Sequence, residues 1–294
     1  MTPTLALVLV LALLVGVSLG LLGGGGSILT VPLLVYVAGM DAKEAVATSL
    51  FVVGVTSAVG VVGHARGGRV RWRTGALFGA AGMAGAYTGG LAGGHLPGLV
   101  LLVAFAAMMI VTAVAMLRGR HGAAPGTGDG TGSAHRRLPV RRALLDGAVV
   151  GLVTGLVGAG GGFLVVPALA LLGGLPMPVA VGTSLLVIAM KSTAGFAGYL
   201  TTVPVDWALT AAVTSAAVAG SLAGAKLAGR VPAAALSRAF AWFVLAVGTF
   251  TLLQQAPAEL RLPALAVLAS LGTGAGLCYG LVARCPLRRA VHSS

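Results

Sequence analysis

The stretch that most restricts how this chain can fold occurs in it twice. Gly20-Leu21-Leu22-Gly23-Gly24-Gly25-Gly26-Ser27 leads into the apolar run 28–31 and Pro32. Gly155-Leu156-Val157-Gly158-Ala159-Gly160-Gly161-Gly162 leads into 163–166 and Pro167. Each is a glycine cluster inside an apolar segment. The two lie 135 positions apart, and that offset continues without a gap to Pro97 and Pro232. It pairs Pro32 with Pro167, Thr48-Ser49-Leu50 with Thr183-Ser184-Leu185, Ser57 with Ser192 and Trp72 with Trp207. It also pairs Gly85 with Gly220 and Gly89 with Gly224. Matching of Ala, Val and Leu by chance would not align Pro and Trp as well, so the chain is read as a duplication.

Hydrophobic residues make up 57% of the chain and charged residues 9%, with a mean hydropathy of +1.02. A soluble domain carries roughly 25% charged residues, and about 20 apolar residues span a bilayer. The composition defines an all-α polytopic membrane protein, and the continuous apolar blocks exclude the short alternating strands of a membrane β-barrel. In the first copy the segments are 5–22, a short run 28–38, 42–63, 74–93 and 97–117. The second copy gives 143–157, 163–172, 178–200, 207–228 and 233–253, and an unpaired segment 263–282 follows. The run after each glycine cluster is only about ten residues, or roughly 15 Å as a helix, half a bilayer. Each cluster is therefore expected to be the break in a broken or re-entrant helix. The organisation is a first transmembrane repeat (1–118), a flexible basic linker (119–142), a second repeat (143–255) and an extra helix with a short tail (256–294).

The net charge of +13 does not signal nucleic acid. No basic run is interleaved with aromatics for stacking, and the bases cluster between apolar segments, where they set topology. Arg66, Arg69, Arg71 and Arg73 lie in one such loop, Arg118 to Arg142 in the linker, and Arg284, Arg288 and Arg289 in the tail. Placing all three clusters in the cytoplasm puts the N-terminus outside and makes the two copies inverted. The N-terminal run lacks a preceding Lys or Arg and aligns with an internal segment, so it is expected to be retained rather than cleaved as a signal peptide. Inverted repeats with broken helices are a plan of secondary transporters, with the site near the midplane.

Glycine clusters at helix starts would expose backbone N–H groups, which suit a small anion. The alternative is that the glycines only permit close helix crossing. The candidate binding residues are Gly23, Gly24, Gly25, Gly26 and Ser27 in the first cluster, and Gly158, Gly160, Gly161 and Gly162 in the second. Thr48, Ser49, Thr183 and Ser184 would add hydroxyl donors, or else bond to helical carbonyls. Lys191, followed by Ser192, lies well inside an apolar segment, where a cation is costly and points to function; snorkelling to a vestibule is the alternative. Its counterpart is Thr56.

All six acids fall in loops or near segment ends. That argues against a carboxylate proton relay, so any proton or ion coupling would have to involve the substrate, Lys191 or His64. Trp72 and Trp207 open equivalent segments and read as interfacial anchors. No catalytic set, phosphate loop or metal-ligand spacing occurs, so no enzyme activity, metal or cofactor is expected; Cys278 and Cys285 form no metal or disulfide pattern. Small-residue faces such as Gly85–Gly89 and Gly220–Gly224 would serve docking within a protomer or in a homodimer.

The paired clusters with their Thr-Ser dipeptides resemble the TauE/SafE family, the sulfite exporter or 4-toluene sulfonate uptake permeases. The resembling residues are 20–32 with Thr48-Ser49 and 155–167 with Thr183-Ser184. The resemblance implies a bacterial cytoplasmic-membrane transporter of sulfite, sulfoacetate or another organosulfonate. Export by alternating access is the expectation; an anion channel of the same fold and a non-transporting scaffold or assembly protein are the alternatives.

Overall fold

A computed structural model describes residues 3–22, 25–118, 140–158, 160–162, 165, 177–227 and 233–255. Gly23, Gly24, most of the run 163–172, the linker to residue 139 and the segment 263–282 lie outside them. The described residues form helices joined by turns and short irregular connections, with no strand among them. The helices are α1 (Pro3–Leu22), α2 (Thr30–Tyr36), α3 (Ala42–Arg66), α4 (Trp72–His95), α5 (Gly98–Arg118), α6 (Val140–Val157), α7 (Met177–Tyr199), α8 (Trp207–Leu227) and α9 (Ala233–Gln255). A 3-10 turn, Gly25–Leu29, joins the first glycine cluster to α2. Helix starts follow the sequence offset: Ala42 matches Met177, Trp72 matches Trp207, and Gly98 matches Ala233.

The ends are set by local chemistry. Asp41 caps α3, its Oδ2 accepting from Lys43 N at 3.1 Å. Asp206 caps α8, its Oδ1 accepting from Ala208 N at 2.9 Å and Leu209 N at 3.1 Å. Such caps satisfy N–H groups that have no helical partner. Glu44 accepts from Asp206 N at 3.1 Å, tying the two starts together. These three acids therefore have structural roles at helix ends.

The most extensive packing runs between the copies rather than within them. α1 packs on α8, α4 on α6 and α7, α3 on α7, and α5 on α9. Glycine is the reason α1 and α8 can come so close. A Cβ on Gly220 would strike Leu13 O, and one on Gly224 would strike Val17 O. The mates of these residues meet in the same way: a Cβ on Gly85 would strike Ala148 O, and one on Gly89 Leu152 O. From the other side, Gly16 and Gly20 abut Ala217 and Ser221, while Gly151 and Gly155 abut Gly82 and Ala86. Both pairs run parallel. The small-residue faces therefore dock helices within one protomer. Contact at this range suits lipid, where helices gain by close packing rather than by the hydrophobic effect.

α3 and α7 cross the other way. Gly195 meets Leu50, Gly54 meets Ser192 and Thr193, Gly60 meets Leu185, and Gly182 meets His64. Numbers fall on one helix as they rise on the other, so these equivalent helices are antiparallel. That register sets Thr56 opposite Lys191, two positions that are mates under the offset. Apolar residues fill the space around the crossing, with Val46, Leu50, Phe105, Met109 and Val244 all buried.

Replacing Gly85 with Leu would push α4 off the α6 backbone. We expect it to destabilise the protein by about 2–3 kcal/mol, read as a lowered thermal unfolding midpoint of the purified protein. Gly63, where an added Cβ would meet nothing within 4 Å, is the control: Gly63→Ala should be neutral, or stabilising by up to about 1 kcal/mol.

Candidate functional site

The two glycine clusters converge. A Cβ on Gly160 would lie 3.4 Å from Ser27 Cβ and would press on Val53 of α3. Ser27 is fully buried. The clusters differ in local structure. The first feeds a 3-10 turn, and α2 begins only at Thr30, with Leu29 as a cap lacking any side-chain hydrogen bond. The second uses positive φ at Gly158 (77°), Gly160 (60°) and Gly161 (66°), angles that a side chain tolerates poorly.

Backbone that leaves the helix in a membrane interior must have its polar groups satisfied, and neighbours supply several of the partners. Gly158 N donates to Thr154 O at 3.0 Å, and Val165 N donates to Gly161 O at 3.1 Å. Ser49 Oγ donates to Gly158 O at 2.9 Å, and Tyr199 Oη to Leu156 O at 2.6 Å. α3 and α7 thus hold the end of α6 from both sides.

Lys191 reaches this point from α7. Its stem passes Gly82 of α4, where an added Cβ would sit 3.8 Å from Lys191 Cβ and Cδ. Its Nζ ends against Gly161 and donates to Thr154 Oγ1 at 3.2 Å. The Thr154 hydroxyl donates in turn to Val150 O at 2.7 Å, leaving its lone pairs for the ammonium. Lys191 is 1% exposed, so it does not snorkel to water in this conformation. Among the described residues it has no carboxylate partner and no second acceptor. An ammonium has three N–H donors, so it is under-satisfied as well as uncompensated. Such a buried charge is expensive unless something negative joins it.

The other sequence candidates distribute unevenly. Ser49 touches the second cluster through Gly158. Ser192 is buried in the α3–α7 interface with its Oγ lacking a partner. Thr48 Oγ1 lies 3.5 Å from Thr210 Oγ1 on α8. Thr183 accepts from Arg71 N at 3.0 Å at the start of α4, away from Lys191. Ser184 Oγ donates back to Val181 O at 2.8 Å. Gly25, Gly26 and Gly162 lie in the converging segments, Gly26 packing on Leu19 and Ser18. Three residues escape a reading of sequence alone: Thr154, which seats the ammonium, and Ser57 and Thr30, which are buried with unpartnered hydroxyls. Ser57 had a signal, being the repeat mate of Ser192.

The outer face of the bundle is apolar. Leu7, Val10, Leu14, Val111, Val149 and Phe243 are all exposed, a surface that fits lipid and not water. Four described helices are long and apolar enough to cross a membrane: Pro3–Leu21, Ala42–Arg66, Val179–Tyr199 and Trp207–Leu227. Trp72 and Trp207 are more than half exposed, as interfacial anchors would be. Two cavities are distinct from Lys191. One of about 410 Å³ lies between α1 and the start of α8 beside Asp206, and one of about 520 Å³ lies between α1, α2 and α9.

This bundle of apolar, glycine-packed helices around an interior cation is a multi-pass membrane protein. The chain belongs to the sulfite exporter TauE/SafE family, which it matches over residues 8–251, and it is a membrane transporter by that membership. It is similar to a probable membrane transporter protein of Xylella fastidiosa, with 35% identity over 245 residues covering 81% of this chain and 91% of the relative. A probable membrane transporter protein of Methanocaldococcus jannaschii is 29% identical over 203 residues, 67% of this chain and 73% of the relative. One of Bacillus subtilis is 26% identical over 235 residues, 79% and 94%. No solved structure matches the chain.

Gly161 and Gly39 offer a paired test of the site. Both have positive φ, 66° and 71°, but a Cβ on Gly39 meets nothing within 4 Å. Gly39→Ala should cost only the backbone strain of about 1–2 kcal/mol and leave transport intact. Gly161→Ala would strike Lys191 Nζ and Thr154, so it should cost more in thermal unfolding and also abolish transport.

Proposed function

We propose that the chain is a secondary transporter that moves a small sulfur-containing anion such as sulfite, sulfoacetate or another organosulfonate. It would act in the cytoplasmic membrane of a bacterium and work in the direction of export. The observation that carries this reading is Lys191: a buried ammonium at the meeting point of two glycine clusters, with no carboxylate among the described residues to balance it. The crossing helices α3 and α7 also carry buried hydroxyls without a partner, on Ser57 and Ser192. An oxyanion would supply the missing charge and accept from these donors. The family's description, sulfite exporter, supports the substrate class.

The proposed architecture is two inverted repeats, 1–118 and 143–255, joined by the basic linker 119–142 and followed by 256–294. The antiparallel crossing of α3 and α7 and the residue-by-residue exchange of helix contacts between the copies support it. The linker and C-terminus would face the cytoplasm, and the N-terminus the outside. Rocking of the copies about the α3–α7 crossing would open the site to each side in turn. The occluded Lys191 fits an intermediate of that cycle. The binding residues would be Lys191, Thr154, Ser192, Ser49, Ser27 and the glycines of both clusters.

Reconstitution into liposomes loaded with sulfite or a sulfonate tests this. Flux should saturate, and Lys191→Met should reduce it by at least about a hundredfold, as expected when a buried charge pair loses one member at about 3–5 kcal/mol. Thermal stabilisation by sulfite or a sulfonate should vanish in the same variant. Conductance without saturation would instead mark an anion channel. Stabilisation by cations alone would overturn the anion reading.

A further inference from the structure

We infer that the site selects a monoanion over a dianion of the same shape, because the position of Lys191 is built to seat a cation and the repeat-equivalent position of Thr56 is not. The inference rests on the anion reading above and narrows it, favouring hydrogensulfite and simple sulfonates over sulfoacetate, which is a dianion at neutral pH. Three features seat Lys191: Gly82 leaves room for its stem, Thr154 receives its ammonium, and Gly161 lets Nζ approach the backbone. Their mates are Ala217, Leu19 and Gly26. The position equivalent to Lys191 is therefore built differently: it carries Thr56, with Ala217 in place of the glycine and Leu19 in place of the threonine hydroxyl. Thr56 spends its hydroxyl on its own helix, donating to Val52 O at 2.7 Å and Val53 O at 3.1 Å.

No other charge among the described side chains is placed to help. His64 and Arg66 stand at the far end of α3, and Arg71 and Arg73 open α4. Lys43 bonds to Gly94 O at 3.0 Å at the end of α4. Asp41, Glu44 and Asp206 are engaged at helix starts. Asp146 lies two turns before Thr154 on α6, and the run 163–172 contains no ionisable residue at all. Among the described residues the centre thus offers one positive charge and several neutral donors. A monoanion neutralises it; a dianion would carry one uncompensated charge into the interior, where that is costly.

The test uses three nearly isosteric probes on the purified full chain in nanodiscs at fixed ionic strength: dimethyl sulfone, methanesulfonate and sulfate. Methanesulfonate should bind at least about tenfold more tightly than either of the others. Sulfate is also the harder to dehydrate, so the deciding variant is Thr56→Lys. A second cation opposite Lys191 should shift the sulfate-to-methanesulfonate affinity ratio toward sulfate by at least about tenfold. Sulfate equalling methanesulfonate in the native protein, or a ratio unmoved in folded Thr56→Lys, overturns the inference while leaving the anion reading in place. Failure of all three probes and of sulfite to bind overturns the anion reading itself. If Thr56→Lys does not fold, Lys191→Gln decides: methanesulfonate should then bind no better than dimethyl sulfone, and a retained preference refutes the single-cation account.

Discussion

The structure depends on backbones touching. In lipid, apolar side chains gain nothing by leaving one solvent for another like it, so helices are held by dispersion at short range. This chain obtains that range by placing glycine where α1 meets α8 and where α4 meets α6. Because the same residues recur in both copies, the two seams have the same construction. Each seam joins one copy to the other, so the glycines hold the two copies to each other more than they hold either one together. The crossing of α3 and α7 sits between the seams and supplies the centre about which they are arranged.

The second glycine cluster solves a different problem. It ends α6 inside the bundle, which would strand carbonyls in an apolar interior. Ser49 and Tyr199 each satisfy one of them, and they come from the two central helices. The same break makes room for Lys191 Nζ against Gly161. The end of α6, the hydroxyls that bond to it and the buried cation are therefore one assembly. The first cluster, with its 3-10 turn and no cation, is related to the second by sequence but not by chemistry.

Much of this was legible in the sequence because apolar length, Gly and Pro speak to backbone geometry directly. The helix starts at Ala42, Trp72, Gly98 and their mates follow from the 135-residue offset, and Lys191 stands out because charge inside an apolar run is rare. Partnership was not legible. Thr154 looks like any threonine returning its hydroxyl to the preceding turn, and its mate is Leu19, so the repeat gave no hint of it. Thr183 matches Thr48 in sequence, yet it meets the α4 start through Arg71, while Thr48 meets Thr210. Gly85 and Gly89 announced close packing without saying which helix lay opposite. Sequence spacing encodes the face of a helix; it does not encode the neighbour, which depends on how the two copies interlock.

That interlocking has a consequence for how the protein is made. α1 rests on α8, and Leu22 is followed by Trp207 only after roughly 185 further residues. At about 5–20 residues per second, α1 waits on the order of 10–40 s in the bilayer before its principal neighbour has been synthesised. Through that interval its glycine seam faces lipid or the insertion machinery. Completion of the second copy is then the event that closes the first, so a truncated chain ending at the linker would be a membrane-inserted species with an open flank, a ready substrate for quality-control proteases.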